Sequence, residues 1–132
     1  MCLVVKKICF SINTYIQFEE LIKVRNNKKK SLIIFIKNYL VKGFGLDWLR
    51  CLIELIKKNY SGQNIKFYVD AGNDHGLSIL ILRENIDYLK LKSNEVILDK
   101  INQIAKKNKV LLNPDFDVVD LSKLKNNKQL KI

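Results

Sequence analysis

Ile65-Lys66-Phe67-Tyr68-Val69-Asp70-Ala71-Gly72-Asn73-Asp74-His75-Gly76-Leu77 carries an apolar run into a carboxylate, passes two glycines and the only histidine of the chain, and then turns helical. The run has the length of a strand, and Asp70 ends it. Gly72 can take a positive φ, Asp74 can cap the following helix by accepting from amides near Gly76 and Leu77, and Gly76 leaves room for a close approach at the helix start. The stretch reads as strand, turn and helix with its polar groups gathered at the turn. In open α/β sheets ligands bind outside the carboxyl ends of the strands, so a site is expected at this turn.

The same rhythm extends in both directions. Residues 3–11 are rich in β-branched and apolar side chains and read as a strand broken at Lys6 and Lys7, and Thr14-Tyr15-Ile16-Gln17 matches the capping box that opens a helix. Residues 31–37 form a continuous apolar run of strand length, as expected for a parallel strand covered on both faces. Residues 38–45 read as a long loop holding Gly43 and Gly45 around Phe44, and such loops are often functional. A helix over 46–60 follows, with Leu49, Leu52, Ile53 and Ile56 on one stripe and Lys57 and Lys58 in its last turn. Beyond a largely buried helix over 74–83, residues 88–92 alternate as a strand with one exposed face. Ser93 or Asn94 caps a helix over 95–108, and 110–112 make a fifth short strand before Asn113-Pro114.

Five strands alternating with helices specify a parallel sheet with right-handed crossovers. The expected fold is an α/β, three-layer open five-stranded sheet in the flavodoxin-like order 2-1-3-4-5. The alternative is half of a (β/α)₈ barrel, which needs a second half to close its sheet. Residues 1–114 form the single domain. Residues 115–132 are expected to form a basic C-terminal extension, with a short helix or a strap across the domain over 115–124 and disorder from Asn126.

At 132 residues, 48% hydrophobic and 28% charged, the chain has an ordinary globular composition for one core. The apolar N-terminal run precedes Lys6 and Lys7, the reverse of a secretory signal, and no apolar run reaches the ~20 residues that cross a bilayer. Cys2, Cys9 and Cys51 show no C-x-x-C spacing and sit among apolar residues, which predicts inert buried thiols, no disulfide framework and no metal site. A cytoplasmic location fits. The net charge of +11 raises binding to nucleic acid or an anionic membrane. Lysine nevertheless accompanies abundant asparagine and isoleucine, the mixture that AT-rich codon usage produces, and the basic residues are not interleaved with aromatics as on a stacking platform. Nucleic acid is therefore not favoured as a partner.

The candidate site comprises Asp70, Gly72, Asn73, Asp74, His75 and Gly76, with Gly43 and Gly45 from the neighbouring loop. Asp70 either serves chemistry as a base or acceptor or fixes its own turn by accepting nearby amides. His75, the sole imidazole, is either a proton carrier or a helix-start residue. G-x-S-x-G, G-x-x-x-x-G-K-[ST] and G-x-G-x-x-G are absent, so the common nucleophile and nucleotide motifs are not available and no cofactor is implied.

Asp70 to Leu77, with Leu82-Arg83 closing the helix, resembles a group of small uncharacterised bacterial α/β proteins. That resemblance implies the fold and carries no reaction. The chain also resembles response-regulator receiver domains in its five-strand rhythm, with Asp70 after strand three, Ser93 after strand four and Asn113-Pro114 after strand five. The receiver's acidic pair is replaced by Ser11-Ile12-Asn13 and its lysine by Asn113, so the resemblance implies an interaction module without Mg²⁺-dependent phosphorylation. The expected function is a non-catalytic binding or regulatory module whose partner is a small ligand, a protein or a further copy of itself in a homo-oligomer. The alternatives are a small lyase or hydrolase using Asp70 and His75, and a basic surface for nucleic acid or anionic membrane.

Overall fold

A computed structural model describes residues 6–25 and 30–121. The elements in chain order are β1 (Ile8–Ser11), α1 (Tyr15–Val24), β2 (Leu32–Ile36), α2 (Asn38–Phe44), α3 (Leu46–Asn59), β3 (Ile65–Asp70), α4 (His75–Leu82), β4 (Tyr88–Lys90), α5 (Glu95–Lys107), β5 (Leu111–Leu112) and β6 (Asp117–Asp120). The strands make one six-stranded sheet in the order β5-β4-β3-β2-β1-β6, and every pairing is parallel.

This order corrects the flavodoxin-like one. In that order β1 separates β2 from β3, whereas here β2 and β3 pair directly from Leu32↔Ile65 to Ile36↔Val69. Apolar runs identify parallel strands but carry no label for their neighbours, because every crossover obeys the same handedness. Consecutive strands lie side by side from β1 to β5, as they do around a (β/α)₈ barrel, and β6 departs from that pattern by returning to the far side of β1.

Crossovers of one hand that all step in one direction place their helices on one face. Side-chain burial agrees. Phe10, Ile34, Phe67, Val69 and Leu89 pack in one cluster with the buried residues of all five helices, including Phe18, Leu40, Ile56, Ile81 and Ile101. The opposite parity, Cys9, Ile33, Phe35, Tyr68 and Tyr88, forms a separate cluster that Phe116 alone joins among the described residues. The expected three layers are therefore two, with a C-terminal strap on the second face.

That strap sets the shape of the sheet. Leu112 ends β5 and Asp117 begins β6, five chain steps that span at most ~18 Å. The two strands stand five interstrand spacings apart, ~24 Å in a flat sheet, and the chain must also run back toward the amino ends to enter a parallel strand. The sheet must curl, with the strap crossing its concave side. Phe116 lands there, edge-on to Tyr68 at 5.6 Å and to Tyr88 at 4.8 Å between ring centroids. The strap is anchored at both ends. The side chain of Asn113 accepts from the Leu91 amide at 2.8 Å and donates to the Leu91 carbonyl at 2.9 Å, and the Asp117 amide donates to the Lys7 carbonyl at 2.9 Å. The extension expected from residue 115 thus supplies a strand through Asp120, and residues 122–132 lie outside the described residues.

The stretch 38–45, expected as a loop, is mostly helix α2, which buries Leu40 and Val41. Gly45, at φ +91°, separates α2 from α3 in a conformation open mainly to glycine. The predicted caps form. Thr14, Asp74 and Asn94 accept from the amides of Gln17, Leu77 and Ile97. Gln17 reaches back one residue further than a standard capping box, accepting from the Asn13 amide at 2.6 Å.

Truncating Phe116 to alanine should remove the only cover on the aromatic cluster among the described residues. The expected loss is about 2 kcal/mol, below the ~3–5 kcal/mol of a fully buried phenylalanine because this ring is partly exposed. A urea unfolding midpoint unchanged from the parent would show that the strap does not hold the sheet.

Candidate functional site

Side chains on the concave face stack in layers along the strand axis. Register aligns Asp120, Ser11, Phe35, Tyr68, Tyr88 and Leu111 across the sheet from β6 to β5. Burial pushes the Tyr68 hydroxyl up to about 12, with Cys9 and Asp70 adding to the shift. Burial likewise carries the Cys9 thiol below it to about 12, so this floor stays uncharged at neutral pH. Two residues further toward the carboxyl ends the composition changes to Asn13, Lys37, Asp70 and Lys90. The concave mouth is a polar rim over an aromatic floor.

At one side of the mouth, beside the switch point where β6 returns to β1, Lys37 Nζ lies 2.9 and 3.1 Å from the two Asp120 carboxylate oxygens. It also donates to Asn13 Oδ1 at 3.1 Å and to the Tyr39 hydroxyl at 3.4 Å. The side chains of Lys37 and Asp120 are only 16% and 20% exposed, so the pair is partly shielded from solvent screening. Burial works against the Lys37 charge, but the hydrogen bonds to Asp120 and Tyr39 and the Asp120 charge outweigh it and raise the ammonium above its ordinary 10.5. Beneath the pair, Ser11 is 1% exposed and its hydroxyl has no hydrogen-bond partner among the described residues.

At the other side, Lys90 extends from β4 until its Nζ stands 5.9 Å from the Phe35 ring centroid on β2. Asp70 is its register partner on β3, yet the two form no ion pair among the described residues. Asp70 Oδ1 instead accepts from the Gly72 amide at 2.8 Å, the turn-fixing bond that the sequence left as one of two readings. Gly72 sits at φ +64°, its carbonyl accepts from the Lys92 amide at 2.7 Å, and a Cβ there would stand 3.0 Å from Asn38 Cγ. Asn38 Nδ2 donates to the Asp70 carbonyl at 3.1 Å, which ties the start of α2 to the turn.

The remaining predicted site residues disperse. Asp74 is consumed as the α4 cap, with Oδ1 accepting from Leu77 at 2.9 Å, and Gly76 lies next to that oxygen. His75 is exposed, and its Nε2 lies 2.8 Å from Ser93 Oγ, while Asn73 stays exposed in the turn. Gly43 and Gly45 have open space where a side chain would stand. The structure therefore brings together Asp70, Gly72 and Asn38 in one group and His75 with Ser93 in another. Asn113, in the place of the receiver lysine, serves the strap anchor described above.

Sequence reading missed the residues that make the mouth polar, namely Ser11, Asn13, Lys37, Tyr39, Lys90 and Asp120. A signal existed for two of them. Lys37 ends the apolar run of β2 as Asp70 ends β3, and Lys90 falls on the polar side of the β4 alternation. Asp120 gave none, because only two apolar residues precede it and they mark no strand. The thiol expectation also needs correction, since Cys51 is exposed on α3 while Cys9 is buried, and Cys2 lies outside the described residues. Among the described residues no three His, Cys, Asp or Glu side chains are grouped as a metal site requires, and no helix is long and apolar enough to cross a membrane. A cavity of about 210 Å³ on the helical side, lined by Arg50, Lys57 and Arg83 with Glu84, holds none of the predicted site residues.

Gly72→Ala should destabilise by about 1–2 kcal/mol, because it adds a strained positive φ to a close approach against Asn38. Combining it with Asn38→Ala should recover only the steric part, and full recovery in a double-mutant cycle would show that the backbone conformation costs nothing. Because the Lys37 pKa is raised on folding, its contribution is fully present below the unfolded value of 10.5 and is lost as pH climbs through the folded value. The stability gap between the parent and Lys37→Met should thus stay level from about pH 7 to 9 and narrow above 10.5, and a gap that widens there would reverse the assignment. No protein-family model matches the chain and no curated protein matches it, so the site is read from its own geometry.

Proposed function

We propose that the chain is a non-catalytic binding module that takes a small ligand at the carboxyl mouth of its curled sheet. The observation that carries this reading is the layer of Asn13, Lys37, Asp70 and Lys90 above a filled aromatic floor, beside the strand switch point where α/β sheets bind their ligands. Polar groups at the rim supply orientation, and the rigid floor supplies a surface that does not rearrange.

Two features favour binding over the lyase or hydrolase alternative. Asp70 is turned onto the Gly72 amide and His75 onto Ser93, so the proposed base and proton carrier answer to different partners. The basic-surface alternative gains no support from the mouth, where the two ammonium groups of Lys37 and Lys90 are matched in number by the two carboxylates of Asp70 and Asp120.

A fragment library followed by two-dimensional amide NMR tests the reading. Shifts should concentrate at the amides of Asn13, Asn38, Gly72 and Leu91. If every binder instead moves amides along the outward faces of α3 or α5, the mouth is not the site.

A further inference from the structure

Within the mouth, charges of both signs are left open side by side. Lys37 and Asp120 satisfy each other at 2.9 Å. Lys90 and Asp70, although register partners with side chains on the same face, do not: Lys90 leans across to the Phe35 ring, and Asp70 commits one carboxylate oxygen to the Gly72 amide. The Asp70 carboxylate and the Lys90 ammonium come from neighbouring strands but stand beyond ion-pairing distance, a gap that a molecule with its ammonium and carboxylate on one carbon can bridge.

We infer that the mouth binds a small zwitterion of the amino-acid type, with its carboxylate against Lys90 above Phe35 and its ammonium against the free oxygen of Asp70. The inference rests on reading the mouth as a ligand site. Charge balance selects this class. Among the described residues of the mouth, Lys37, Lys90, Asp70 and Asp120 sum to zero, so a polyanion meets as many repulsive as attractive charges, whereas a ligand with one charge of each sign meets an opposite charge at both ends. The floor selects for size. Phe35, Tyr68, Tyr88 and Phe116 already pack edge to face, so the ligand's side chain has no deep slot beneath it and projects toward the rim.

The test compares alanine and phenylalanine, each beside its deaminated acid and its decarboxylated amine, titrated into the full chain at neutral pH while the amides of Gly72 and Leu91 are followed by NMR. Each amino acid should bind at least tenfold more tightly than either of its one-charge counterparts. Lys90→Met should erase the advantage over the amine. Asp70→Asn, which keeps an oxygen for the Gly72 amide and so preserves the turn, should erase the advantage over the acid. Acids that bind as well as amino acids, or a Lys90→Met variant that binds unchanged, would overturn the inference. If none of these compounds moves the mouth amides while other fragments do, the zwitterion assignment fails and the ligand-site reading stands. If no compound of any class moves them, both fail. Amide spectra of the variants that match the parent outside the mouth verify that the fold is retained.

Discussion

The five chain steps between Leu112 and Asp117 constrain everything on the concave face. A connection that short cannot reach the far edge of a flat six-stranded sheet, so the sheet curls until its edges approach. Curling converts one face from an exposed plane into an interior. It brings Phe116 onto Tyr68 and Tyr88, buries Cys9 and Ser11 on β1, and sets Asp120 of β6 against Lys37 of β2 across the intervening strand. The helical face depends on ordinary amphipathic packing, whereas the concave face depends on this one distance.

The division of labour between the faces follows from it. Helices cover one side of every strand, and their cluster contains most of the large buried side chains. Among the described residues the other side has no helices, so a strap of four residues and an aromatic cluster protect it, and its upper layer is left to polar groups. In a sheet covered by helices on both faces, Lys37 and Asp70 would end their strands under a second helical layer. Here they open onto a mouth, and the partial shielding that curling provides lets the Lys37–Asp120 pair hold its charge against burial.

The existence of the strands and helices was legible because each rests on local pattern. The apolar run of β2, the alternation of β4 and the caps at Thr14, Asp74 and Asn94 are all statements about a few adjacent residues. Strand order was not legible, since it depends on which strands meet across the sheet, and β1, β2 and β3 carry no pairing label. β6 was hidden for a related reason. Asp117-Val118-Val119-Asp120 holds only two apolar residues between carboxylates and becomes a strand because β1 offers it an edge. The site suffered from both gaps. Asp70, Gly72 and Asp74 behave locally as their types suggest, but the partners that make the mouth polar come from β1, β2, β4 and β6, and only the true order assembles them.

Pairing the first strand with the last also orders the life history of the chain. The units from β1 to β5 join neighbours in sequence and can accrete as the chain leaves the ribosome, one β-α step at a time, whereas β6 must wait until all five have been made. Until it arrives, Cys9, Ile33, Phe35, Tyr68 and Tyr88 face solvent as an uncovered aromatic sheet, the type of surface that chaperones hold and that aggregates recruit. Docking of a few C-terminal residues is thus the event that turns a sticky nascent sheet into a finished one.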